Sequence, residues 1–175
     1  MLASGYDLWF FRINGDRKPL KFIELPSDQL HGNFSPNGRL VAYSSNDSGR
    51  FEVHVQRFPI SGSKWQISTI GGYEPRWRGD GRETYYLSED RQFMAVSVGP
   101  GPSFGIPKPL FQTRVPAGVN PLRTHYVPNR DGSRFHINTQ TGDPPTHSHH
   151  HRLELDGGAE MIGKTIVHWT AHAVP

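Results

Sequence analysis

The chain predicts an all-β fold: a partial, open β-propeller of about three four-stranded antiparallel blades, followed by an irregular C-terminal tail. Three observations carry this. A turn-and-strand unit recurs, first as Phe34-Ser-Pro-Asn-Gly-Arg-Leu-Val-Ala-Tyr43, then as Trp77-Arg-Gly-Asp-Gly81 before Glu83–Leu87, then as Val127-Pro-Asn-Arg-Asp-Gly132 before Ser133–Asn138. Gly38 and Gly81 stand 43 residues apart, and repeats of that length built from short strands mark propellers and similar arrays. Composition agrees: 34% of residues are hydrophobic, against 19 Gly and 15 Pro, a balance that favours short strands and tight turns over long helices. Ten Phe and four Trp supply bulk to pack between sheets.

Within the best copy, Pro36 presets φ for a turn and Asn37-Gly38 tolerates the positive φ of short hairpins. Leu40, Ala42 and Ser44 then alternate with Val41 and Tyr43, the period of a strand. Taken in order, Tyr6–Ile13 is an aromatic, β-branched strand, Asn14-Gly15-Asp16 turns it, and Pro19–Leu25 returns, giving half a blade over 6–25. The first full blade spans 31–69, with strands Gly32–Ser35, Arg39–Ser44, Phe51–Phe58 and Lys64–Ser68. The second spans 72–113, with strands near Glu74–Trp77, Glu83–Leu87, Gln92–Val98 and Leu110–Gln112. Its connection Gly99–Pro109 is too rich in Gly and Pro for a regular element. A last half-blade covers 124–139, so the propeller occupies 1–140 and the tail 141–175. Phe34 and Trp77 stand beside equivalent turns and are expected to be buried between sheets.

Several of these stretches resemble a known family. Asp7-Leu-Trp, Phe34-Ser-Pro-Asn-Gly-Arg, Ala42-Tyr-Ser-Ser, Glu52-Val-His-Val-Gln, Trp65-Gln-Ile-Ser-Thr, Pro75-Arg-Trp-Arg and Pro107-Lys-Pro-Leu-Phe look like TolB-type propeller repeats. The version resembled is that found C-terminal to bacterial serine/threonine protein kinase domains. The resemblance covers Tyr6 to about Thr139 and implies a propeller with a sensing or protein-binding role. It carries over no catalytic residue. The chain holds no Gly-rich phosphate loop, His-Arg-Asp loop or Asp-Phe-Gly motif. The tail departs from the family, which would finish on a hydrophobic strand. Plausible codons for His149–Glu160, read one base later, spell Thr-Ile-Thr-Val-Ser-Asn-Trp-Thr-Ala-Glu-Leu, a peptide resembling that strand, so the tail reads as out of frame.

The chemistry candidates are few. With no cysteine, disulfides and thiolate zinc sites are excluded. His149, His150 and His151, with Asp143 or Glu154 as oxygen donors, are the metal candidates, but adjacent histidines between Pro and Gly lack the converging scaffold a specific site needs. No cofactor is expected. Gly101-Pro-Ser-Phe-Gly105 matches a nucleophile-elbow pattern, yet the flanking Pro100, Pro107 and Pro109 leave no strand-turn-helix around Ser103, which reads as a loop serine. Glu52 and His54 share a strand face and read as a solvent-facing pair, as do Asp80 and Glu83 at their turn. Asp47, Arg50, Asp90 and Arg91, on loops at one rim, are the binding candidates.

The arginines 39, 50, 57, 76, 78 and 82 cluster in the two best repeats, and with a net charge of +3 they read first as solvated hairpin tips and edge protection. Trp9, Trp65 and Trp77 read as packing, so nucleic acid is not an expected partner. The expected partner is a protein or the remaining blades of a parent chain, with self-association as a further expectation. A basic segment followed by an apolar run is missing at the start, and no stretch approaches the ~20 apolar residues of a membrane span. A cytoplasmic location is the expectation from the chain as written. The whole predicts a non-enzymatic binding module, with the propeller of a prolyl-oligopeptidase-like hydrolase as the alternative.

Overall fold

The computed structural model describes residues 5–139 and the backbone of Trp169–Thr170. The histidine run His149–His151, and the stretch read as out of frame, lie outside the described residues. Fourteen strands and no helix are found among the described residues, and every strand pair is antiparallel. β1 (Trp9–Phe11) and β2 (Pro19–Lys21) form a two-stranded sheet. β3 (Gln29–Phe34), β4 (Leu40–Ser45), β5 (Glu52–Arg57) and β6 (Lys64–Gln66) form a four-stranded meander. β7 (Tyr73–Trp77), β8 (Glu83–Leu87) and β9 (Gln92–Gly99) repeat it, and β10 (Ser103–Phe104) and β11 (Lys108–Gln112) both pair with β9. β12 (Tyr126–Pro128), β13 (Arg134–Ile137) and β14 (Trp169–Thr170) make the last sheet.

The repeated turn is built from its own residues. Ser35 N–H donates to the Leu40 carbonyl at 2.8 Å and Gly38 N–H to the Ser35 carbonyl at 2.8 Å. Arg78 and Gly81 make the same pair of bonds in the second copy, and Asn129 and Gly132 in the third. Gly38, Gly81 and Gly132 have φ of 69, 73 and 74°, the left-handed region that glycine enters without strain. One expectation fails in the connection 99–109. Gly101, at φ 78°, folds the chain back so that Ser103–Phe104 pairs with Val98–Gly99. Pro109 then sits where the β11–β9 register shifts, a place that tolerates its missing N–H. Two short strands form there in spite of the Gly and Pro content.

Central strands pack on both faces, because neighbouring sheets lie on either side. Leu40, Ala42, Val53 and Val55 meet Trp77, Tyr86 and Val96 between the first and second full sheets. On its other face the second sheet sends Tyr85, Leu87 and Phe93 against Tyr126 and Phe135 of the third. The N-terminal hairpin covers Val41 and Tyr43 with Phe22.

Trp77 is buried as expected, at 8% exposure, and its indole N–H donates to the Asn33 carbonyl at 3.0 Å. Phe34, expected to match it, is 47% exposed, with an edge-to-face contact to Phe58 at 4.9 Å between ring centroids. The difference is the neighbour: Trp77 faces a four-stranded sheet, Phe34 a two-stranded one. Trp77→Ala should therefore cost about 3–5 kcal/mol, and Phe34→Ala about 1 kcal/mol, in urea denaturation. Equal costs would contradict the asymmetry.

A second outcome separates two of the three turn glycines, Gly38 and Gly132. A Cβ at Gly38 would meet open space, whereas one at Gly132 would overlap the Tyr85 hydroxyl. Val at position 38 should destabilise more than Asn, which tolerates the left-handed region. Gly132→Asn should cost about 1–3 kcal/mol more than Gly38→Asn, by overpacking. Indistinguishable unfolding midpoints for the two Asn variants would contradict the close approach of Gly132 to Tyr85.

Candidate functional site

The four candidate rim residues occupy two equivalent hairpins, β4–β5 and β8–β9, each joining the second and third strands of its sheet. They share one rim, and each is engaged in holding its turn. Arg50 Nε lies 2.6 Å from Glu52 Oε1 and its Nη2 donates to the Thr69 carbonyl at 3.0 Å. Asp47 is ion-paired with Lys64. Asp90 accepts the Ser88 hydroxyl, and its carbonyl accepts Gln112 Nε2 at 2.8 Å. Arg91 stands at φ 66°, where the other turns use glycine, and its carbonyl accepts both the backbone and the hydroxyl of Thr113.

Glu52 and His54 do share a face, but the solvent-facing reading is overturned: both are buried, at 1% and 3% exposure. Val53 and Val55 turn to the second full sheet, and on the opposite face Glu52 and His54 are covered by their own surroundings: Arg50, Ser68 and Gly71 about the carboxylate, Tyr43 and Asp47 about the ring. The Glu52 carboxylate accepts Arg50 Nε, the Gly71 N–H at 3.1 Å and the Ser68 hydroxyl, fastening the link between the first and second full sheets. His54 is different. Neither ring nitrogen has a hydrogen-bond partner among the described residues, and Asp47 Oδ1 approaches Nε2 at 3.4 Å without hydrogen-bond alignment. Asp80 and Glu83 remain at the surface of their turn, each 3.4 Å from the Arg78 guanidinium. Ser103 lies on the short strand β10, with no strand-turn-helix about it.

Sequence reading missed a cluster on the innermost strands. His31, Glu74 and His125 stand at one equivalent position, three residues before Phe34, Trp77 and Pro128, the last residues of β3, β7 and β12. The constant offset from the repeated turn was the signal that could have found them. His31 and Glu74 adopt left-handed φ of 57 and 56°, where the pairing register of their strands shifts. Glu74 is completely buried. Its N–H donates to Ser44 Oγ at 3.1 Å and its carbonyl accepts the Tyr126 hydroxyl at 2.7 Å. Oε2 accepts the His125 N–H at 2.8 Å, and Oε1 meets His125 Nδ1. His31 Nε2 lies 3.0 Å from the Asn120 carbonyl. These atoms join three sheets. No group of three or more metal-ligating side chains converges among the described residues.

A cleft of about 470 Å³ opens at the opposite rim, between the first and second full sheets. Leu40, Trp77 and Val98 line it, with Arg39, Arg57 and Asp80 beside them.

Burial holds the His54 pKa below its ordinary value, aided by the nearby Lys64 charge, against the opposing pull of Asp47 and Glu52. His31 is lowered by burial as well. Folding keeps these rings neutral, so below about pH 6.5 the unfolded chain binds protons that the native state does not. Stability is therefore full above that value and falls as pH drops towards the native pKa values. His54→Gln should reduce proton uptake on unfolding by up to one proton below about pH 6.5, read from the pH dependence of the urea midpoint. An unchanged slope would contradict a neutral buried His54.

Solved structures share the architecture. TolB from Acinetobacter baumannii matches 80% of the chain at 13% identity with a TM-score of 0.53. An oligogalacturonate lyase from Vibrio parahaemolyticus matches 74% at 11% identity with a TM-score of 0.51. The chain spans 38% and 35% of their respective lengths. No family model matches it, and no curated protein matches at a significant level. At these identities the likeness speaks for fold alone, and with the antiparallel sheets described above it makes the chain an open β-propeller similar in fold to those structures.

Proposed function

We propose that the chain acts as a non-enzymatic β-propeller module for protein or ligand binding, within a larger signalling protein such as one bearing a serine/threonine kinase domain. The observation that carries this is the uncovered face of the N-terminal hairpin. Leu8, Phe10 and Phe22 pack inward. On the other face Trp9, Phe11 and Ile13 are 52, 64 and 82% exposed. Three large apolar side chains in one row form the kind of contiguous patch that marks an interaction surface. Its shape is that of a propeller sheet lacking its neighbour, so the simplest occupant is the apolar face of a further blade of the same parent protein. In isolation, a second copy would compete for that place.

The alternative reading is the propeller of a prolyl-oligopeptidase-like hydrolase whose catalytic domain lies elsewhere. Coding sequence beside the gene separates them: a kinase domain upstream supports the first, a hydrolase domain downstream the second.

Light scattering and thermal unfolding of the isolated chain test the open-face reading. The expected result is concentration-dependent association or a broad, low-temperature transition, with Trp9→Ser/Phe11→Ser reducing association. A monodisperse monomer with a sharp cooperative transition would overturn it.

A further inference from the structure

We infer that the cleft between the first and second full sheets is a docking site for an acidic peptide segment of a partner protein, its carboxylate held by Arg39 and Arg57. The inference rests on the cleft alone and not on the open N-terminal face. At about 470 Å³ the cleft falls within the range of ligand sites and accommodates a few residues of an extended chain.

Both arginines are exposed, and neither has a carboxylate within ion-pair distance among the described residues. Each is nevertheless placed. The Arg39 N–H donates to Asn37 Oδ1 at 3.0 Å and its carbonyl accepts the Phe58 N–H at 2.9 Å, so the turn fixes its backbone. Arg57 lies over the Trp65 ring, 5.8 Å from its centroid, a cation–π contact that places the guanidinium at the cleft. An arginine edge suits a carboxylate, which it can bind through two parallel hydrogen bonds.

Charge and shape select the ligand class. Asp80 also lines the cleft, so its three charged side chains sum to one positive charge, matching a monoanionic carboxylate better than a phosphate dianion. Leu40, Trp77 and Val98 give apolar contacts beside the charges, which a peptide can use and a free anion cannot.

The test is titration of the intact chain with acetyl-Ala-Leu-Glu-Leu-Ala-amide, followed by arginine Nε–H NMR resonances. The expected result is saturable shifts at Arg39 and Arg57. Binding should weaken at least tenfold with Arg57→Gln, with Arg39→Gln, and with the peptide carrying Gln in place of Glu. Arg114→Gln, an exposed change in the linker after β11, should leave binding unaltered. Equal binding of the Gln peptide, indifference to both cleft substitutions, or equal weakening by Arg114→Gln would overturn the inference. Inorganic phosphate that occupies the same arginines more tightly than the peptide would overturn it too.

Discussion

The arrangement of the three larger sheets depends on one buried carboxylate. Glu74 has no exposure to solvent, and a carboxyl group is tolerated there only when its oxygens are hydrogen-bonded. Its oxygens are satisfied by His125, 51 residues later in the chain, while its backbone reaches Ser44 on one side and Tyr126 on the other. No single sheet can meet those demands. The residue is content only when three consecutive sheets are docked, so it couples local strand formation to the curved array. Removing one member of such a buried pair typically costs about 3–5 kcal/mol, a large share of a small domain's stability.

The rest of the packing follows from having a sheet on either side. β4 and β8 bury side chains on both faces because each is sandwiched, which is why Tyr43 and Ala42, pointing opposite ways, are equally inaccessible. The array weakens where a neighbour is incomplete. Phe34 and the row Trp9, Phe11 and Ile13 are ordinary blade residues that lack a full sheet opposite them.

Much of the fold was legible because turns and strands write themselves locally. The Ser-Pro-Asn-Gly turn at residues 35–38, the Asp80-Gly81 pair and the alternation after each reported hairpins whose bonds recur in the structure. What depends on neighbours was not legible. Phe34 and Trp77 are alike in sequence context and differ only in what faces them. Glu52 and His54 look like a solvent-facing alternation until Ser68 and Gly71 of the following link, and Tyr43 and Asp47 of the neighbouring strand and turn, close over them. Gly99–Pro109 looked irregular, since a two-residue strand needs only one well-placed glycine and leaves little pattern. The His31, Glu74 and His125 positions were hidden because three different side chains occupy one repeat position. Their equivalence is one of backbone place, not of chemistry.

The central claim is that Glu74 and His125 act as one unit holding the second and third sheets together. A double-mutant cycle of Glu74→Gln and His125→Gln, measured by urea denaturation with Tyr126→Phe as a neighbouring control, tests it most directly. Coupling of about 1–3 kcal/mol between positions 74 and 125 is the predicted result. Additivity within about 0.5 kcal/mol would contradict it.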